Sequence, residues 1–122
     1  MSGSGKRILI IEDEALIRRL ISLSLEEKYV LREAENGQKG LELLGSWRPH
    51  LVILDIMMPV MDGLQFLSWR NQHHPDMPVL ALTSIKQPNR QGRILSAGAS
   101  AVLFKPISLP ELLEQVVKLL PG

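Results

Sequence analysis

Five short runs of largely apolar residues punctuate the chain, and the stretches between them carry apolar side chains at helical spacing. The runs are Arg7–Ile11, Tyr29–Glu33, Leu51–Asp55, Val79–Thr83 and Ala101–Phe104. Leu51-Val52-Ile53-Leu54 is unbroken, the pattern of a strand buried on both faces. Ile8 to Ile11 reads the same way, whereas the second run mixes in polar residues and predicts a less buried strand. Leu16, Ile17, Leu20, Ile21 and Leu25 recur every three or four residues and predict a first helix. Asn36-Gly37 marks a turn, and Leu41, Leu43, Leu44 and Trp47 predict a second helix, weakened by Gly40 and Gly45 and stopped by Pro49. Pro59 blocks continuation of the third strand. Asp62-Gly63-Leu64-Gln65 then places a helix N-cap three residues before a glutamine, which opens a third helix carrying Leu64, Phe66, Leu67 and Trp69. A fourth helix is expected over Pro88–Ala97, with Gly98 as its stop. Ser108-Leu109-Pro110-Glu111 repeats the capping pattern, and Leu112, Leu113, Val116, Val117 and Leu120 make one apolar face of a fifth helix.

Strand and helix alternate five times. Continuous apolar strands joined by crossover helices predict an α/β fold, a parallel sheet with helices on both faces. Right-handed crossovers leave few arrangements, one being the flavodoxin-like five-stranded order 2-1-3-4-5. The 122 residues suffice for one domain, read as residues 6–122 behind a flexible leader or tag remnant at 1–5. Hydrophobic residues make up 45% and charged residues 22%, which argues against disorder. The net charge of +1 gives no reason to expect nucleic acid or an anionic membrane. Cysteine is absent, so disulfides and thiolate metal sites are excluded. No apolar run approaches the ~20 residues of a membrane span and no signal peptide is visible, so a cytoplasmic protein is expected.

The chemistry collects where strands end. The first ends in Glu12-Asp13, the third in Asp55, the fourth in Thr83-Ser84 and the fifth in Lys105. In a parallel sheet these ends share one edge, where ligands of open α/β folds bind. Three crowded carboxylates raise one another's pKa, and a hard divalent cation relieves the repulsion. Mg²⁺ fits an all-oxygen set, with Mn²⁺ as the alternative; Asp13 and Asp55 suit direct ligation and Glu12 ligation through water. A carboxylate is also a nucleophile toward phosphorus, and Asp55, facing the metal acids, is the one to form an aspartyl phosphate. The Lys105 ammonium and the Thr83 hydroxyl suit phosphoryl oxygens. Taken singly, each residue has a plainer reading: Asp13 as a helix-start acid, Asp62 as an N-cap only, His73 and His74 as a surface loop. The functional reading rests on five reactive groups falling at four ends of one sheet.

These residues resemble the receiver domain of two-component response regulators, in Ile-Ile-Glu12-Asp13-Glu14, Asp55-Ile-Met-Met-Pro-Val-Met-Asp-Gly63, Ala-Leu-Thr83-Ser84 and Lys105-Pro106, and the resemblance spans Lys6 to about Leu120. It implies that Asp55 accepts a phosphoryl group from a sensor histidine kinase or a histidine phosphotransfer domain. It implies Mg²⁺ held by Asp13, Asp55 and the backbone carbonyl of Met57, with Glu12 assisting through water. Thr83 and Lys105 contact the phosphoryl group, and the Lys105-Pro106 peptide is cis. The change is read on a face made by helix 4, strand 5 and helix 5, by a downstream effector, a fused output domain or a second copy of the chain. Such a domain catalyses only its own phosphorylation and dephosphorylation. The chain departs from the family at Val102, where members often carry an aromatic switch residue; Phe104 shares Val102's strand face by parity without occupying that position. Ser84 adds a hydroxyl, and Met57 and Ile85 flank the water path with apolar bulk, an arrangement expected to slow hydrolysis. Competing readings are a phosphorylation-independent interaction module and an aspartyl-phosphate phosphohydrolase, though Met57 stands where the latter wants a second aspartate. With Gly122 last, the chain reads as a stand-alone receiver or a piece of a longer regulator.

Overall fold

The apolar runs pair into a single parallel sheet in the order β2-β1-β3-β4-β5. The protein is seen here as a computed structural model that describes residues 5–58, 61–84 and 89–120. Along the chain come β1 (Arg7–Ile11), α1 (Ala15–Leu25), β2 (Val30–Ala34), α2 (Gly37–Leu44) and β3 (Leu51–Asp55). There follow α3 (Gly63–His73), β4 (Val79–Thr83), α4 (Arg90–Ser96), β5 (Ala101–Phe104) and α5 (Leu109–Leu119). The expected order 2-1-3-4-5 is the one observed, and β1 and β3 are neighbours at the sheet's centre. Register pairs Leu9 with Val52, Asp55 with Leu82, and Thr83 with Phe104, so the reactive strand ends finish level.

Strand side chains alternate between two cores, as the two-residue repeat demands. Leu9, Ile11, Val52, Leu54, Val79 and Ala81 pack with Phe66, Leu67 and Ile94 under α2, α3 and α4. Ile8, Ile10, Leu51, Ile53, Leu80 and Leu82 pack with Ile21, Leu25, Leu112 and Val116 under α1 and α5. Each such side chain contributes about 1.5–3 kcal/mol by leaving water, so the two layers hold helices that are too short to be stable alone.

The helices depart from their sequence patterns in instructive ways. On α1 only Ile21 and Leu25 of the expected apolar face are fully buried, while Leu16 and Leu20 face outward. Polar Ser22 takes a core-facing place because its hydroxyl donates to Glu33 Oε2 at 2.7 Å, and Arg18 pairs with the same carboxylate at 3.2 Å. On α5, Leu112 and Val116 are buried but Leu113 and Val117 are exposed. The second strand sits one residue later than expected. The second helix starts at Gly37, where the Asn36 side chain accepts from the Lys39 N–H, and ends at Leu44, well before Pro49. Trp47 therefore lies outside the helix, packed against the core with the Arg32 guanidinium 5.2 Å from its ring. The Asp62–Gln65 capping box forms in both directions, at 2.9 Å each way. Pro59 and Pro88, read as breaker and helix start, lie outside the described residues. Among those residues no helix is long and apolar enough to cross a membrane.

Gly63 fixes how closely α3 approaches the end of β3. A Cβ there would stand 2.6 Å from Ile56 Cα and 2.9 Å from the Asp55 carbonyl oxygen, and the Gly63 N–H donates to the Ile56 carbonyl at 2.9 Å. Gly63→Ala is expected to cost about 1–3 kcal/mol, read from urea melts. The control is Gly92→Ala, within α4 at a site with nothing within 4 Å, which should not destabilise and should gain up to about 1 kcal/mol from helix propensity.

Candidate functional site

Four strands deliver their last residues to one edge. Glu12 and Asp13 follow β1, Asp55 closes β3, Thr83 closes β4 and Lys105 follows β5. One carboxylate oxygen each from Glu12, Asp13 and Asp55 lies within 4.8 Å of the others, the only such acid or histidine group among the described residues. Glu12, Asp55 and Thr83 are buried, while Asp13 is half-buried. Three of the five buried polar residues among those described thus belong to this edge, a burial that is costly unless the groups are paired.

The acids are held in place. Asp55 Oδ1 accepts from the Met57 N–H at 3.1 Å. Glu12 Oε2 accepts from the Glu14 N–H at 3.1 Å and so satisfies a donor at the start of α1, a task the Glu14 side chain does not perform. Arg18 donates to the Glu12 carbonyl oxygen at 2.7 Å, bracing the turn from the helix side. The Lys105 ammonium reaches across from β5, 2.9 Å from Glu12 Oε1 and 3.4 Å from both Asp55 Oδ2 and Glu14 Oε1. Its approach to Glu12 Oε1 is a charge contact that lacks hydrogen-bond alignment. The peptide between Lys105 and Pro106 is cis, and the Lys105 N–H donates to the Thr83 carbonyl at 2.8 Å, tying β5 to β4 at the rim.

Electrostatically the edge is short of positive charge. Burial, then a hydrogen bond with Asp13 and the nearby Glu12 carboxylate, push Asp55 up to about 8, against the pull of Lys105. For Lys105 burial works against the ammonium, but Glu12 and Asp55 outweigh it and hold its pKa above the usual lysine value. Two buried acids and a third beside them, with one ammonium among them, fit a divalent cation that prefers oxygen ligands.

The structure thus brings Glu12, Asp13, Asp55 and Lys105 together and places Thr83 at the same edge, while Met57 enters through its backbone. The Met57 side chain is about half exposed, with Arg90 Nη2 3.5 Å from its sulfur, so the rim carries an arginine that the sequence reading did not single out. That reading also passed over Glu14 as a Lys105 partner, although the acidic triplet Glu12-Asp13-Glu14 was its signal. Val102 packs into the core beneath α4, and Phe104 stands opposite Thr83 in the register. Ile85 lies outside the described residues. His73 stacks on Trp69 with ring centroids 4.7 Å apart, and His74 meets Arg48 at 3.2 Å; neither joins the acids.

Comparison with known proteins gives the same picture. The family model of the response regulator receiver domain matches residues 8–117. The response regulator MprA of Mycolicibacterium vanbaalenii is 36% identical over 115 residues, which are 93% of this chain and 50% of that protein. The chemotaxis protein CheY of Halobacterium salinarum is 30% identical over 113 residues, 92% of this chain and 94% of the relative. The chain therefore spans about half the length of the MprA relatives it matches and nearly all of that CheY. Among solved structures, a CheY-like receiver domain protein from Methanospirillum hungatei superposes with a TM-score of 0.88 at 30% identity, covering 96% of this chain and 94% of its own.

Proposed function

The chain belongs to the response regulator receiver domain family, whose members act as phosphorylation-dependent signalling switches, and on that footing we propose that Asp55 accepts a phosphoryl group from the phosphohistidine of a sensor kinase or phosphotransfer domain. The supporting observation is the meeting, within 3.4 Å, of a buried carboxylate at the end of β3 with the Lys105 ammonium, beside two further acids. An Asp55 oxygen bonds to phosphorus as the bond from phosphorus to the donor's imidazole nitrogen breaks. The imidazole leaves with that electron pair, and an aspartyl phosphate remains. Lys105 then shifts its charge from Glu12 and Asp55 to a phosphoryl oxygen, and the Thr83 hydroxyl donates to another. Asp13, Asp55 and the Met57 carbonyl would hold Mg²⁺, with Glu12 acting through water; bound there, the ion supplies the positive charge that keeps Asp55 ionised and spreads the phosphoryl charge.

The phosphoryl group adds roughly −1.5 to −2 charge and three acceptor oxygens at the level of Thr83 and Lys105. Thr83 closes β4 and Lys105 follows β5, beside the face made by α4, β5 and α5, where an effector or an output domain would read the change. On this reading residues 6–122 form the phosphoacceptor domain, working in the cytoplasm beside its kinase, and its chemistry is confined to its own Asp55. Incubation with Mg²⁺ and acetyl phosphate, followed by intact-mass measurement, is expected to add one phosphoryl group. The gain should vanish in EDTA and in Asp55→Asn. No gain in the wild type, or an equal gain in Asp55→Asn, would overturn the assignment.

A further inference from the structure

Among the described residues, one cation at the rim of the site has no partner for its charge. Arg90 opens α4, and its Nη2 stands 3.5 Å from the Met57 sulfur. A thioether is only a weak acceptor. The Arg90 Nε is buried with no hydrogen-bond partner, and the guanidinium joins none of the ion pairs among the described residues. A buried donor left in that state is costly and calls for a reason. Nor is the side chain simply turned out to solvent. Gln91, Gly92 and Arg93 are exposed, whereas Arg90 is half-buried. It stands one turn before the fully buried Ile94, on the same side of the helix.

Met57 is also the link to Asp55. Its N–H donates to Asp55 Oδ1 at 3.1 Å while its sulfur meets the guanidinium, so a single residue separates Arg90 from the phosphoacceptor. In the unmodified chain the cation that acts on Asp55 is Lys105. A phosphoryl group changes this. It extends beyond the carboxylate, adds roughly −1.5 to −2 charge and presents three strong acceptor oxygens. A planar guanidinium meets such oxygens with two parallel N–H donors, a geometry that neither an ammonium nor a hydroxyl can offer. Each oxygen accepts more than one hydrogen bond, so Arg90 adds to Lys105 and Thr83 without displacing either. The helix that carries Arg90 is free to follow it. α4 is seven residues long, Asn89 gives it no side-chain cap, and Ile94 is its one buried residue.

We propose that Arg90 is a further phosphoryl-binding residue, resting against Met57 in the unmodified chain and drawn from it onto the aspartyl phosphate, which ties the start of α4 to the modified Asp55. The inference rests on Asp55 as the phosphoacceptor. Beryllofluoride in MgCl₂ tests it, since this phosphoryl mimic needs no donor. At saturation the Arg90 Nε–H resonance of the wild type, assigned by its absence in Arg90→Lys, should move. Arg90→Met should bind beryllofluoride about tenfold more weakly or worse, through loss of a charge-assisted contact. Arg90→Lys, which keeps the charge without the fork, should come within about threefold of wild type. Arg93→Met, on the exposed side of α4, should match wild type. Circular dichroism checks that each variant is folded. An Nε–H resonance that stays in place, or an Arg90→Met variant that binds as tightly as wild type, overturns the role of Arg90. So does equal weakening by Arg93→Met, which would make the net charge of α4 the cause. A wild type that takes neither beryllofluoride nor a phosphoryl group from acetyl phosphate would remove the reading of Asp55, and this inference with it.

Discussion

Lys105→Met is expected to cost about 3 kcal/mol of stability near pH 8 and to slow phosphoryl acceptance on the order of 10²-fold. The ammonium is the cation that meets both buried carboxylates, 2.9 Å from Glu12 and 3.4 Å from Asp55, and its own side chain is only 11% exposed. Methionine keeps most of the stem's volume, so the loss is chiefly of charge. Removing one partner from a buried ion group leaves an uncompensated charge, at a typical cost of about 3–5 kcal/mol. The lower end applies here because Asp55, already pushed up to about 8, can escape by taking a proton. For the same reason the deficit should shrink toward pH 5, where Asp55 holds its proton. Urea melts of both proteins at the two pH values measure it. The rate effect has a separate origin. The charge that builds on the phosphoryl oxygens during transfer loses a pre-placed cation, and a defect of that kind survives under conditions where both proteins are fully folded. A variant as stable as wild type at pH 8 would mean that Glu12 and Asp55 are solvated in a way their burial does not suggest.

What the sequence displayed and what it concealed divide along physical lines. Strands buried on both faces announce themselves because every residue of Leu51-Val52-Ile53-Leu54 must be apolar, and so β1, β3 and β4 begin and end where their runs do. The edge strand β2 carries no such constraint, with Val30 exposed, and its bounds were harder to place. The convergence of Glu12, Asp13, Asp55 and Lys105 was legible because parallel strands present all their carboxyl ends together; it needed topology, not side-chain detail. Side-chain detail supplies the rest. Nothing in the order of residues says that Lys105 spans from Glu12 to Glu14, or that Arg18 braces the Glu12 carbonyl. Helical periodicity also overstates burial. On α1 and α5 it counts Leu16, Leu20, Leu113 and Val117 as core, although the sheet beneath is wide enough to cover only the stripe centred on Ile21 and Leu25, and on Leu112 and Val116.

Stability of the metal-free protein should fall as pH rises from about 4 to about 8, and Mg²⁺ should reverse the trend. In the folded chain burial, Asp13 and Glu12 lift Asp55 from the ordinary 3.8 to about 8. Between those limits the folded state keeps a proton that the unfolded chain has released, so each step upward in pH favours unfolding. Lys105 does not blur this window, because its pKa is raised above the ordinary 10.5 and it stays charged throughout. Other groups titrate over the same range, so the informative quantity is the difference between wild type and Asp55→Asn. In EDTA the asparagine variant should gain on wild type steadily toward pH 8. The cation changes the sign because it binds the ionised acids and must compete with the proton for them. At a hundred times its dissociation constant it contributes about 2.7 kcal/mol, and more of that is realised at pH 8 than at pH 6, where Asp55 still holds its proton. Thermal melts at pH 5, 6.5 and 8, in EDTA and in MgCl₂, separate the two effects. If wild type and Asp55→Asn shifted in parallel with pH in EDTA, Asp55 would not be the proton-holding group, and the crowding of acids at the sheet edge would have to be relieved elsewhere.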